Sequence, residues 1–312
     1  MKEILQSVSR SFYLTIRFLP RPLREPVSLA YLLARATDTI ADTATIPASA
    51  RLTNLRDFAR VIRGELDFDT VEESLRTFAA QQTDPAERNL IENLRGCIAW
   101  LTRMDPADRA DIRTVLQTIV RGQELDLERF GESGTVHSLR TAAELDEYTH
   151  LVAGCVGEFW TKLGLRRLPP FTNRSPDEMQ QLGIEYGKGL QLINVLRDRG
   201  SDLKNGRDYL PSEELAGAPV AEVFARWLDR TEEHLKSGID YCGALTNWRV
   251  RYATALPALI GARTIALLRA AGPGSAGIKV PRAEVRRILV IGAWAALSTP
   301  SLEALFLRLL AR

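Results

Sequence analysis

Apolar residues recur at three- and four-residue spacing along most of the chain. The segments LREPVSLAYLLARATDTIAD (23–42), ASARLTNLRDFARVIRGEL (48–66) and AEVFARWLDRTEEHLKSGIDYCGAL (221–245) each gather them on one face of a 3.6-residue period, which predicts amphipathic helices. Sustained apolar–polar alternation, the signature of a strand, is hard to find. The pattern breaks at 43–47, 131–135, 169–176, 204–211 and 271–281, stretches that carry Pro, Gly, Ser, Asn or Asp. None is long or biased enough to be a flexible linker, and no fixed-period repeat is present. The expected architecture is therefore all-α: one domain over residues 1–312, built from roughly ten or more helices. Ser175-Pro176-Asp177-Glu178 reads as an N-cap, a proline at the first helical position and early acids. Pro281 reads as another first-turn proline, and Ala48-Ser49 as a weaker helix start.

Two of the predicted helices carry polar stripes that an ordinary core helix does not need. Asp38 and Asp42 lie four apart, so both carboxylates point from one face. Extended backwards, that face takes in Tyr31 and Arg35, at offsets 0, 4, 7 and 11 from the tyrosine. Asp198 and Asp202 repeat the spacing, on a stripe that runs Gln191, Asn194, Asp198, Asp202. Arg197 sits beside it, with Lys204 and Arg207 following. Either pair alone is close to a chance event in a chain with 17 aspartates. The membership of each in a longer polar stripe is what gives it weight. Oxygen-only ligands of this kind suit a hard cation such as Mg2+, which takes one or two carboxylates and completes its shell with phosphate oxygens and water. Two such stripes lining one cavity could hold several ions against a diphosphate, with arginines taking the charge that develops as it leaves.

Composition narrows the alternatives. Apolar residues make up 45% and charged residues 26%, with a formal charge of +2, so nothing calls for a nucleic-acid partner. Three widely spaced cysteines and three histidines offer neither a disulfide framework nor a zinc pattern, which fits a reduced, cytoplasmic setting. The first twenty residues, interrupted by Arg10 and Arg17, do not read as a signal peptide. The nearest approach to a membrane span, 288–310, is broken by Pro300, Glu303 and Arg308. It reads as a core or surface-lying helix and leaves peripheral membrane contact open.

Several strings, taken in order, resemble the squalene/phytoene synthase family of head-to-head prenyl synthases. They are Ser9-Arg10-Ser11-Phe12, YLLARATDTIAD (31–42), the Tyr148-Thr-His-Leu-Val-Ala-Gly block and LQLINVLRDRGSDLKNGRDYLP (190–211). The resemblance covers nearly the whole chain and implies a single-domain isoprenoid-synthase helical fold around a central cavity. It implies condensation of two farnesyl diphosphates through presqualene diphosphate, with Mg2+ and, for squalene, NADPH. By position it makes Asp38, Asp42, Asn194, Asp198 and Asp202 the metal ligands. Ser9, Arg10, Ser11, Phe12, Tyr31, Arg35, Gln191, Asn194, Arg197 and Arg207 become the substrate contacts, and Tyr148 a catalytic group of the first half-reaction. Read without the resemblance, Tyr148 is the end of a helical face with Val152, Cys155 and Phe159, more often a structural place than a catalytic one.

The resemblance also leaves alternatives. Arg251-Tyr252-Ala253-Thr254-Ala255-Leu256-Pro257 departs from the family, where phenylalanines precede the proline and serve the second half-reaction. A dehydrosqualene- or phytoene-type synthase that needs no reductant, or one that stops at presqualene diphosphate, therefore stays in contention. No G-x-G-x-x-G unit is present, so NADPH would bind without a Rossmann domain. A non-catalytic family member would not need the four aspartates and Tyr148, and a head-to-tail synthase or terpene cyclase would not explain the Ser-Arg-Ser-Phe and Tyr148 segments.

Overall fold

The structure, a computed structural model, describes residues 2–9, 11–131 and 136–311, giving the backbone alone for residues 2, 9 and 11–14. Among the described residues the regular structure is helical, apart from two short strands. The chain's contacts divide into two compact units, Met1–Glu132 and Ser133–Arg312. The boundary falls in the Gly- and Ser-containing break at 131–135, which is too short to stand out as a linker in the sequence.

The first unit holds α1 (Lys2–Ser9), α2 (Ser11–Phe18), α3 (Arg21–Asp42), α4 (Ala48–Arg63), α5 (Phe68–Ala80), α6 (Pro85–Glu92), α7 (Leu94–Arg103) and α8 (Pro106–Arg129). α3 is its core, packed on α4, α6, α7 and α8. Its apolar face covers most of its circumference: Leu29, Leu32, Leu33, Ala36 and Ile40 are fully buried. Between residues 26 and 41 only Tyr31, Ala34, Arg35 and Asp38 escape burial, which is the polar stripe read from the sequence. Proline at the start of α3 is tolerated because the first-turn N–H groups have no helical acceptor. α8 opens on Asp105, whose carboxylate caps the Ala107 N–H at 2.9 Å.

The second unit holds α9 (Ala142–Thr149), α10 (Cys155–Arg167), α11 (Pro176–Asp202), α12 (Ser212–Gly217), α13 (Val220–Ala244), α14 (Trp248–Ala271), α15 (Arg282–Ala295) and α16 (Thr299–Leu310). β1 (His137–Ser138) pairs in parallel with β2 (Arg207–Asp208). α11 is the central helix, packed on α10, α13 and α14. It starts as expected: the Ser175 side chain accepts the Glu178 N–H, and Pro176 is its first residue. Pro281, by contrast, sits at the cap of α15 rather than inside its first turn, and α4 begins at Ala48 behind a Pro47 cap.

Two local features fix the approach of other helices to α11. Glycines remove the side chains where α10 and the turn before it cross α11. A Cβ on Gly157 would lie 1.8 Å from the Gly183 carbonyl oxygen, and one on Gly187 would lie 2.3 Å from that of Ala153. The second feature repairs α14, which contains Pro257. The Tyr186 hydroxyl enters the helix there, donating to the Thr254 carbonyl at 2.6 Å and accepting from the Ala258 N–H at 3.0 Å. Those two groups would otherwise pair with each other, so the phenol bridges the opening in the helix. α14 is also the one helix, among the described residues, long and apolar enough to cross a membrane; more than half of that apolar stretch is buried in the protein. The 288–310 region is two helices, α15 and α16, separated by a turn.

Candidate active site

The two aspartate pairs lie at the C-terminal ends of the central helix of each unit, α3 and α11. In α3, Tyr31 is half-buried and its hydroxyl donates to the Val8 carbonyl at 3.3 Å. Burial raises its pKa, with Asp38 adding to the shift and Arg35 opposing it. Arg35 forms an ion pair with Glu87 of α6. Asp38 is half-buried and accepts a hydrogen bond from Gln123 Nε2 of α8 at 2.5 Å. Burial pushes its carboxyl up to about 7; Asp42 adds to this, and Arg35 and Gln123 only partly offset it. Asp42, one turn on, is exposed at the helix end. Gln123 is buried, and its Oε1 has no hydrogen-bond partner among the described residues.

In α11 the stripe is linked side chain to side chain. Asn194 Nδ2 donates to Gln191 Oε1 at 3.2 Å, and Gln191 Nε2 donates to the Tyr148 hydroxyl at 3.4 Å. Arg197 makes a bidentate pair with Asp198, its Nε 2.9 Å from Oδ1. That bond raises the Arg197 pKa further. Asp202 ends the helix. Arg207 stands half-buried in β2, with Asp208 beside it.

Tyr148 is positioned by a turn the sequence did not reveal. Residues His150–Gly154 form a π-helical turn between α9 and α10. Its additional residue breaks the regular face that would group Tyr148 with Val152, Cys155 and Phe159. Tyr148 instead stacks on Tyr209, ring centroids 4.8 Å apart and planes at 25°. Tyr209 follows Asp208, whose carboxylate is held by Arg199 at 3.1 and 2.6 Å in a buried pair. Arg199 also reaches the Pro273 carbonyl at 3.4 Å.

Within each unit, then, the structure brings predicted residues together: Tyr31, Arg35, Asp38 and Asp42 in the first; Tyr148, Gln191, Asn194, Arg197, Asp198 and Asp202 in the second. Arg10 lies outside the described residues, as do the side chains of Ser9, Ser11 and Phe12. Gln123, Glu87, Arg199, Asp208 and Tyr209 were missed. Gln123 had a signal, since it lies three residues before Asp126 on one helical face in RGQELDLERF. The Arg199–Asp208 pair had none, because its partners meet only through the loop back from α11.

The donor chemistry of both pairs fits Mg2+. Among the described residues no three His, Cys, Asp or Glu side chains converge into a metal cage. Each pair instead offers two carboxylates, the number this ion takes when phosphate and water supply the remaining oxygens. Beside Asp38, the unpartnered Gln123 Oε1 is an acceptor suited to a water of such a shell.

Comparison with known proteins decides the family. The squalene/phytoene synthase profile matches residues 5–287, across both units. The chain belongs to the squalene/phytoene synthase family. It is 29% identical to squalene synthase ERG9 of Saccharomyces cerevisiae over 212 residues, covering 68% of this chain and 45% of that protein. With squalene synthase of Eremothecium gossypii it shares 31% over 217 residues, 68% and 45% of the two chains. With the bifunctional lycopene cyclase/phytoene synthase of Phaeosphaeria nodorum it shares 28% over 225 residues, 70% and 35%. The aligned region thus spans less than half the length of these curated relatives. Among solved structures, TcSQS in complex with E5700 superposes with a TM-score of 0.75 at 24% identity, covering 100% of this chain and 90% of that one. A dehydrosqualene synthase superposes with a TM-score of 0.60 at 21% identity, covering 93% of each. The all-α isoprenoid-synthase fold of the family is therefore the fold of this chain.

Proposed function

We propose that this chain condenses two farnesyl diphosphates head to head, through presqualene diphosphate, to squalene. The observation that carries the reading is the pair of Asp-x-x-x-Asp stripes, each with a basic or amide neighbour in hydrogen-bond contact, in a chain of this family. Asp38 and Asp42, and Asp198 and Asp202 with Asn194, would hold Mg2+ against substrate diphosphate. Bound there, Mg2+ would supply Lewis acidity to the departing diphosphate.

The residues' own work follows from their geometry. Arg197 is held in place by Asp198 and presents its remaining N–H groups to diphosphate oxygens; Arg35 and Arg207 are assigned the same task. As the C–O bond of the first substrate breaks, its electron pair leaves with the diphosphate. The allylic C1 then bonds to the double bond of the second substrate, and loss of a proton closes the cyclopropane. Gln191 donates to the Tyr148 oxygen, which orients the phenol for a role in this half-reaction. The stack on Tyr209 holds the ring at that place. Tyr31, and Ser9 to Phe12 by resemblance, are assigned to closing over the phosphates. We take residues 1–312 as one family domain, supported by the profile match across both units. A cytoplasmic setting is supported by Cys97, Cys155 and Cys242, all buried free thiols; burial pushes those of Cys97 and Cys155 up to about 12, which makes them inert.

A non-reductive reading is favoured by one observation. Tyr252, where the family's phenylalanines are expected, donates its hydroxyl to the Leu289 carbonyl at 2.9 Å, which ties the ring's polar end to α15. The test is incubation with farnesyl diphosphate and Mg2+, with and without NADPH, and products resolved by mass. Squalene only with NADPH is the expected result. The same unreduced product in both tubes would replace squalene by a dehydrosqualene- or phytoene-type product, and accumulation of presqualene diphosphate would end the reaction at its first half. A parallel tube with geranylgeranyl diphosphate tests tail length.

A further inference from the structure

The outer face of α15 has a composition that the proposed reaction does not use. Ile288, Gly292 and Ala295 turn inward. Outward lies a stripe of Ala283, Arg286, Arg287, Val290, Trp294 and, in the turn after the helix, Leu297, at offsets 0, 3, 4, 7, 11 and 14. Trp294 is 74% exposed, Val290 64% and Leu297 56%, the three most exposed large hydrophobic residues described. Together they put a bulky apolar ridge into water at the turn-proximal end of the helix, with two adjacent arginines at the other end.

The charge around this ridge is one-sided. Residues 279–311 carry Lys279, Arg282, Arg286, Arg287 and Arg308 against Glu284 and Glu303, a net of +3 where the whole chain has +2. Glu284 is already engaged by Arg263 at 2.7 Å. None of the five cations has an ion-pair or hydrogen-bond partner among the described residues, whereas most arginines elsewhere on the surface are paired, as Arg56, Arg95, Arg226 and Arg269 are. An aromatic and aliphatic ridge bordered by unpaired arginines is the surface that lies in the headgroup region of a bilayer: the rings and aliphatic groups enter the acyl boundary and the guanidinium groups meet anionic phosphates.

We infer that the Arg286–Leu297 face docks this protein peripherally on an anionic lipid bilayer. A second copy of the chain fits the face less well. A two-fold contact through the stripe would place like arginines in an interface that offers them no carboxylate. The inference does not depend on the prenyl-coupling reading, because it concerns residues outside the assigned site.

The test is co-sedimentation of the full chain with phosphatidylcholine vesicles, with and without phosphatidylglycerol, together with the variants R286E/R287E and V290S/W294S/L297S. All substituted positions are surface residues, and circular dichroism checks that both variants fold. The expected result is binding to the anionic vesicles, at least about tenfold weaker for R286E/R287E and lost for the triple variant. Tryptophan fluorescence should shift to the blue on binding in the wild type and not in the triple variant. Absence of binding by the wild type, or equal binding by all three proteins, would overturn the inference. So would sedimentation velocity showing a dimer that the triple variant dissolves, with no vesicle binding, since that assigns the face to a second copy.

Discussion

Asp38 and Asp198 open motifs of identical spacing at the ends of two long helices, yet the surroundings of the two carboxylates are opposite in kind. Asp38 is half-buried, with the Gln123 amide for a hydrogen-bond donor and Arg35, one turn back, paired with Glu87. Its charge is poorly compensated, and the carboxyl is held up to about 7. Asp198 is more open and already carries a bidentate guanidinium from its own neighbour, Arg197. It also belongs to a connected set, from Asn194 through Gln191 to Tyr148 and Tyr209, anchored by the buried Arg199–Asp208 pair. Asp38 therefore has an amide where a cation would compensate it, whereas Asp198 already has a guanidinium beside it and belongs to a braced set. A shared spacing fixes which face the carboxylates share and says nothing about what surrounds them.

The brace can be broken most severely. Asp208→Asn leaves a buried guanidinium without its partner and should cost about 3–5 kcal/mol of stability in urea unfolding, whereas R199M/D208L, which removes both charges, should recover most of it. If D208N unfolds like the wild type, the brace has no mechanical role. Next come the carboxylates themselves. Asp38→Asn and Asp198→Asn should each lower turnover of farnesyl diphosphate roughly a hundred- to thousandfold, and the double variant should fall little further, because ligands of one reaction act as a unit. Full activity in either single variant would remove that motif from the chemistry.

The third prediction separates the motifs by pH. Asp38 has a folded-state pKa of about 7 against an ordinary 3.8, so the folded protein holds more protons than the unfolded chain between those values. Its contribution is least unfavourable below the ordinary carboxylate range, and stability falls as pH rises towards about 7, then levels. In the metal-free protein Asp38→Asn should therefore gain about 1–3 kcal/mol on the alkaline side of neutrality and nothing in acid. Chemical unfolding at several pH values checks this; a gain independent of pH would contradict the cause given. The smallest effect is expected at the other motif. Arg197→Met, which frees a partly exposed carboxylate, should change stability by less than about 1 kcal/mol while weakening diphosphate binding.

Much of this was legible in the sequence. The helices, the breaks at 43–47 and 169–176, the Ser175 cap and both stripes follow from periodicity and turn chemistry, which are local. What stayed hidden was set by contacts distant along the chain. Gln123 meets Asp38 across 85 positions, and Glu87 captures Arg35 across 52. The π-turn at His150–Gly154 has no composition of its own; it lies at the close glycine crossing with α11, where Gly187 approaches Ala153 and Gly154. The division into two units was hidden because each unit is defined by contacts between residues distant along the chain. The nearest approach to a membrane span, read at 288–310, is two helices of 14 and 12 residues, and the helix of sufficient length and hydropathy among the described residues is α14.

The central claim is that both carboxylate pairs hold Mg2+ against substrate diphosphate. Its most direct test is calorimetric titration of a non-reacting thiolodiphosphate analogue of farnesyl diphosphate into the wild type, D38N and D198N, with and without Mg2+. The account predicts binding that requires Mg2+, that is weakened about tenfold or more in each variant, and that strengthens in the wild type as pH rises towards about 7, where Asp38 gives up its proton. Binding that is indifferent to Mg2+, or that survives undiminished in both variants, would contradict it.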